Sequence, residues 1–266
     1  MKKIYIEAFK YIRIWNPYTG TCTRYTIFFS ILGLFGVPKD LCGEMYALAV
    51  DDFQKEKPAP IFLREIHFVD LDISMLALVK GGFENLQSGA LRTPVEQRHP
   101  DVVWIDVPLN QHSSMRDSQS QAQHDQPDQQ PFLQTYKIHE RLLVHIYSCD
   151  ILKAKTDVIV NAANEFLNHA AGVAAFIAEK AGKALTDESN KIVSKQKLGV
   201  TDVVRTTAGR LPHRAVLHAI GPRWKDYRNK KECLEDLRLT MKNILCTAEK
   251  MFFKSVAIPS ISAGSI

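Results

Sequence analysis

Between residues 38 and 88 the apolar positions change period twice. Leu41, Met45, Leu48, Ala49 and Phe53 recur every three or four residues, which predicts a helix opening beside Pro38 and closed by Pro58 and Pro60. The run Leu63 to Asp70 (LREIHFVD) loses that period and predicts a buried strand, after which Asp72 can cap a second helix with Leu76, Val79, Phe83 and Leu86 on one face. From residue 135 to 266 strand and helix patterns alternate. The strand candidates are Leu142 to Tyr147, Asp157 to Asn161, Asp202 to Thr206, Ala215 to Ile220 and Ser255 to Ile261, rich in Val, Ile and Leu as strands covered on both faces must be. The helix candidates are Ala174 to about Lys195, and Lys231 to Phe253, the second with Leu234, Leu237, Met241, Ile244, Leu245, Ala248 and Phe252 on one stripe. This alternation predicts an α/β fold, a mostly parallel sheet between two helix layers, with ligands bound at the loops after the strand carboxyl ends.

The remaining stretches carry less pattern. Residues 1 to 29 are aromatic-rich without a period and stay unassigned. Residues 89 to 134 read as a flexible linker, because Asn110 to Pro131 is dominated by Gln, Ser, Asp and His with almost nothing to bury. Val102 to Val107 is a short apolar stretch inside it that has no assigned place. The apolar run Thr26 to Val37, about a dozen residues, is too short to span a bilayer, so no membrane partner is expected.

Composition adds little. A hydrophobic share of 45% and a charged share of 24% are those of an ordinary globular protein. The net charge of +5 is too diffuse to argue for nucleic acid, although it would favour the approach of an anionic ligand. The five cysteines, Cys22, Cys42, Cys149, Cys233 and Cys246, form no CxxC pair and have no histidine at metal-ligand spacing. They fit reduced thiols in the nucleus or cytoplasm, packed as small core residues, and neither a metal nor a cofactor is expected.

Three strand-to-helix loops carry the candidate chemistry. Asp150, after the first strand of the second region, could accept hydrogen bonds from an exocyclic amine such as that of adenine, or could cap a short helix beginning at Ile151. Asn161 and Asn164, in Asn161-Ala162-Ala163-Asn164, bring amides suited to sugar hydroxyls, and His169-Ala170-Ala171-Gly172-Val173 opens a helix with small residues that let backbone N–H groups approach a diphosphate. The same residues could equally be a turn followed by a helix start. Ser260-Ile261-Ser262-Ala263-Gly264 ends the last strand with small and hydroxyl side chains, again suited to phosphate or to a plain turn. Together the three loops point to a nucleotide diphosphate-sugar, without the Lys of a P-loop or the GxGxxG spacing of a dinucleotide fold.

These residues carry a resemblance. The run VIVNAANEFLNHAAGVAAFIAEKAG resembles the macrodomain signature, a strand ending in Asn-Ala-Ala-Asn followed by a His-Gly-Gly-Gly-Val loop, and TTAGRLPHRAVLHAIGPRW and VAIPSISAG match the same family. The first is most similar to the tandem macrodomains of macrodomain-containing mono-ADP-ribosyltransferases. The resemblance implies a three-layer α/β/α fold with a mixed, mostly parallel sheet, and ADP-ribose or mono-ADP-ribosylated proteins as partners. It implies Asp150 and the Ile151 N–H at adenine, Asn161 and Asn164 at the distal ribose, and Ala162 among the ADP-ribose-binding residues. Ala170, Ala171, Gly172 and Val173 would lie around the diphosphate and ribose, and Ser262, Ala263 and Gly264 would close over the phosphates. Two departures stand out. Ala170 and Ala171 replace the usual glycines, where a methyl restricts positive φ and crowds the ligand. Ala174 stands where some hydrolytic members carry Asp. No residue is assigned a catalytic role.

The order of segments is unusual. The macrodomain-like segment 135–266 stops inside its second phosphate loop, yet Gly33-Leu34-Phe35-Gly36-Val37-Pro38 resembles that loop's continuation, and LREIHFVDLD with its helix resembles the family's final strand and helix. The expectation is that 30–88 is the C-terminal part of a macrodomain and can complete 135–266, its N-terminal part, as a circular permutation. Gly33, Leu34, Phe35 and Gly36 then join the site. About 45 linker residues reach on the order of 35–40 Å, enough to bridge a small domain. The functional alternatives are an ADP-ribosyl hydrolase and an inactive fragment of a larger mono-ADP-ribosyltransferase; nothing in the chain resembles a transferase catalytic domain.

Overall fold

The computed structural model describes residues 4–7, 11–16, 21–25, 35–93, 95–99, 133–138, 141–170 and 172–263. In the unassigned amino-terminal stretch, β1 (Ile4–Glu7), β2 (Tyr11–Asn16) and β3 (Thr21–Tyr25) pair as an antiparallel meander. The other elements are α1 (Lys39–Gln54), β4 (Glu65–Asp70), α2 (Ile73–Ser88), α3 (Val95–Arg98), β5 (Leu133–Ile138), β6 (Leu142–Ser148), β7 (Val158–Ala163), α4 (Gly172–Ala181), α5 (Lys183–Lys195), β8 (Val203–Thr206), β9 (Ala215–Ile220), α6 (Lys230–Lys250) and β10 (Ser255–Ile258).

The main sheet runs β5-β6-β4-β10-β7-β9-β8. Its five inner strands are parallel and both edge strands antiparallel, the mixed arrangement expected. Strand β4 lies between β6 and β10, pairing Phe68 with Ile146 on one side and with Ile258 on the other. Segment 35–93 therefore shares one sheet with 133–263, although the linker separates them in sequence.

Period-two alternation divides the sheet between two layers. Val158, Val160, Ala215, Leu217, Val256 and Ile258 face a core with residues from α1, α2 and α6, and Ile159, Val216 and Ala257 face the opposite core with Ile177, Ala181 and Leu185 of α4 and α5. All six residues of β9 are buried, as its position between neighbours and layers requires. Helices α1 and α2 cross closely: a Cβ on Gly43 would lie 2.4 Å from the Leu78 carbonyl oxygen, and one on Gly82 2.2 Å from that of Gly43. Asp72 caps α2, accepting from the N–H of Ser74 at 2.9 Å. Arg238 forms a two-pronged ion pair from α6 to Asp52 on α1 at 2.5 and 2.7 Å. The Glu249 carboxylate accepts from the N–H groups of Ile61, Phe62 and Leu63, fastening the loop before β4 to the end of α6.

Several expectations change. The helix anticipated from Ala174 to Lys195 is two helices, broken at Gly182, whose φ of +85° no β-substituted residue adopts readily. Part of the anticipated linker is ordered: a 3₁₀ turn (Ala90–Arg92) and α3 follow α2, with Arg98 and His99 on Glu44 of α1. Strand β5 begins at Leu133, before the expected domain start; Tyr136 and Ile138 face inward while Thr135 and Lys137 face outward. Val102 to Val107 and Asn110 to Pro131 lie outside the described residues. Among the described residues no helix is long and apolar enough to cross a membrane.

Candidate functional site

The parallel strands end together at one edge of the sheet, and the loops beyond them carry most of the anticipated residues. Asp150 follows β6 and caps the 3₁₀ turn Ile151–Lys153, its Oδ1 accepting from the Leu152 N–H at 3.0 Å, while Ile151 is buried. The capping role is thus realised with one carboxylate oxygen. Asp70 ends the neighbouring β4 and accepts from the Ser260 hydroxyl and from the Asp72 N–H, which ties the end of β4 to the loop after β10.

Asn161 is fully buried in β7 opposite His218 of β9. The Thr206 hydroxyl donates to the Thr207 carbonyl at 3.1 Å, so its oxygen accepts from His218 Nε2–H at 2.8 Å. That leaves His218 Nδ1 as an acceptor for Asn161 Nδ2, 3.0 Å away. The same Nδ2 faces His169 Nδ1 at 3.5 Å, and His169 Nε2 meets Ser189 Oγ at 2.9 Å. Both hydrogens of the Asn161 amide are engaged, and its Oδ1 is buried with no protein partner. Burial, with a smaller contribution from His169, pushes the His218 pKa down to about 3, and burial also lowers that of His169, so both rings are neutral at pH 7. Sequence reading missed His218 and Thr206 as positioning residues; the only signal was one polar residue in the apolar run AVLHAI.

Asn164 turns the chain after β7, accepting from the Phe166 N–H at 3.1 Å and donating to Asn168 Oδ1 at 2.8 Å. Ala162 is half-buried beside it. In the following loop, left-handed φ falls on Leu167, His169 and Gly172. Ala170, exposed, is not among them, so the conformational penalty anticipated for its methyl group does not arise there. Gly172 and Val173 open α4, Val173 with its side chain exposed. Ala171 lies outside the described residues, as do Gly264, Gly33 and Leu34.

The two halves of the second loop meet. Val37 bridges Ala263 in parallel and its N–H donates to the Ser262 carbonyl at 3.1 Å, while the Tyr46 hydroxyl donates to the Ile261 carbonyl. Gly36 and Ser262 both hold left-handed φ, +60° and +59°. The Phe35 carbonyl accepts from the Trp224 N–H at 2.6 Å, and the Arg223 guanidinium sits 5.8 Å from the Phe35 ring centre while pairing with Glu165 at 2.6 Å. The Ser262 hydroxyl oxygen is buried without a protein partner, and a Cβ on Gly221 would lie 2.3 Å from it. Residues 35–37 and 261–263, from either side of the linker, thus form one rim at the carboxyl edge.

This architecture defines an α/β domain with small-residue loops grouped at the ends of its parallel strands. The family model described as Macro domain matches residues 160–266. An Escherichia fergusonii protein named O-acetyl-ADP-ribose deacetylase is 39% identical over 123 residues, covering 46% of this chain and 68% of that protein. The human protein mono-ADP-ribosyltransferase PARP14 is 40% identical over 116 residues, 43% of this chain but 6% of that protein's length. A solved Oceanobacillus iheyensis macrodomain with ADP has 28% identity and a TM-score of 0.46, over 50% of this chain and 71% of that one. The chain belongs to the macro domain family, an ADP-ribose-binding family.

Proposed function

We propose that this chain binds ADP-ribose, free or attached to proteins as mono-ADP-ribose, at the carboxyl edge of its sheet. The observation that carries the reading is the pair of buried polar atoms without a protein partner at the carboxyl ends of the adjacent strands β7 and β10, Asn161 Oδ1 in β7 and Ser262 Oγ in the loop after β10. Leaving each unsatisfied costs about 1–3 kcal/mol, which a sugar hydroxyl donating to Asn161 Oδ1 and a phosphate accepting from Ser262 Oγ would remove. In this assignment the free oxygen of Asp150 takes the adenine amine and Ile151 offers its N–H. Asn161 and Asn164 hold the distal ribose with Ala162 beside them, and Ala170 to Val173 and Ser262 to Gly264 enclose the diphosphate. Gly33 to Gly36 complete the second loop from the other segment. The reading makes the chain a circularly permuted macrodomain, with 30–88 supplying the C-terminal part and 135–266 the N-terminal part.

Calorimetric titration of the purified chain with ADP-ribose tests it, with Asp150→Ala and Asn161→Leu as comparisons. Saturable binding weakened by both substitutions is expected. A folded chain that shows no binding, or binds equally well in all three forms, refutes the proposal. Hydrolysis is the second reading, favoured by the relative named O-acetyl-ADP-ribose deacetylase. Release of acetate from O-acetyl-ADP-ribose, or of ADP-ribose from a modified protein, distinguishes it from binding alone. The free thiols Cys42, Cys149, Cys233 and Cys246 accord with residence in the reducing nucleus and cytoplasm, which imaging of a tagged chain would check.

A further inference from the structure

On the face of the sheet shared with α4 and α5, β4 and β6 carry His67 and His145 level with the apolar Ala257, Ile159 and Val216 of β10, β7 and β9. His67 of β4 and His145 of β6 are register partners on parallel strands, their ring centres 4.7 Å apart, and Glu65 lies two residues before His67 on the same face. All three are half-buried, and one ligand atom from each lies within 4.8 Å of the other two.

The rings are also oriented from behind. His67 Nδ1 pairs with the Tyr147 hydroxyl at 3.1 Å, and His145 Nδ1 with Thr135 Oγ1 of β5 at 3.0 Å. Each Nδ1 is thus engaged from behind, and His67 Nε2 stands 3.2 Å from Glu65 Oε2 on the other side of its ring. Histidines that bind metals hold their second ring nitrogen in this way, which fixes tautomer and orientation. A tetrahedral zinc ion with ligand bonds of about 2.0–2.1 Å needs ligand atoms roughly 3.3 Å apart. The Glu65–His67 pair meets that spacing at 3.2 Å, and the His145 ligand atom, within 4.8 Å of both, needs to move in by at most about 1.5 Å.

We propose that Glu65, His67 and His145 form a binding site for a divalent transition metal, with Zn²⁺ the best match to two imidazoles and one carboxylate. Solvent supplies the fourth ligand. Two ligands come from segment 35–93 and one from 133–263, so the ion fastens β4 to β6 and stabilises the joined fold by mass action. The site lies in mid-strand and rests on no part of the ADP-ribose reading.

Titration of the metal-stripped full chain with ZnCl₂ tests the proposal, with the chain's thermal midpoint and its Co²⁺ spectrum as further readouts. One ion per chain, a rise in melting temperature, and a four-coordinate Co²⁺ spectrum without thiolate charge-transfer absorption are expected. In His145→Gln, which changes a half-exposed side chain, all three should disappear. Thr135→Val should weaken binding about 10–100-fold while leaving one site. A wild-type chain that binds no Zn²⁺ at micromolar concentration overturns the proposal, as does equal binding by wild type and His145→Gln, or a thiolate band.

Discussion

Phe68→Ala tests whether the two segments fold as one unit. Phe68 is 2% exposed at the centre of β4, with Tyr46 stacked parallel at 5.7 Å and Phe83 tilted at 5.6 Å between ring centres. Strand β4 is hydrogen-bonded on both sides, by β6 and β10, so the backbone around the lost ring cannot collapse into the space. Truncation should therefore cost near the full range for a buried phenylalanine, about 3–5 kcal/mol. In a folded region of this size each kcal/mol lowers the melting temperature by roughly 2–4 °C, which gives a fall of about 6–20 °C. Thermal and urea denaturation measure the loss, and hydrogen exchange shows where it is felt. Amides of β7 and β9, in the other segment, should lose protection together with those of β4. A loss under about 1 kcal/mol, or faster exchange confined to residues 35–93, would refute the argument that these segments share a cooperative core.

Acid should unfold the chain partly through His218, whose folded pKa of about 3 lies below its unfolded value of about 6.5. The unfolded chain takes up this proton first, so the contribution is complete above pH 6.5 and lost as pH falls from 6.5 to 3, on the order of 5 kcal/mol in all. His218→Gln should be less stable at neutral pH yet show a shallower decline over that window; identical slopes in denaturant titrations against pH would exclude this origin. Gly221→Ala would place a methyl group 2.3 Å from Ser262 Oγ and 2.9 Å from Ile261 Cγ2, displacing the second loop. ADP-ribose affinity should fall at least about tenfold, roughly 1.4 kcal/mol, and calorimetry showing unchanged affinity would separate that loop from the binding surface.

The strand and helix types in both segments were legible because periodicity is local: burial on one face or two imposes period 3.6 or 2 on the residues themselves. The chain also singled out Asp150, Asn161 and Ser262 as candidates, since short polar side chains at the ends of apolar strands need a reason to be there. Other features needed three dimensions. The break at Gly182 was masked by helical pattern on both sides, and β5 by its place at the end of a polar linker. Asn161 could be read as an amide near a sugar, but the direction of its free oxygen is set by His218, Thr206 and His169, each reached through strand pairing or loop folding. The position of β4 between β6 and β10 is likewise tertiary. Hydrogen bonds and apolar burial depend on which surfaces fit, not on the order in which the chain supplies them, so a strand near residue 68 can pair with strands near 146 and 258. The sequence by itself thus determined most of the elements and which polar side chains stand at their ends; packing alone decided that elements on either side of the linker form one sheet and one rim.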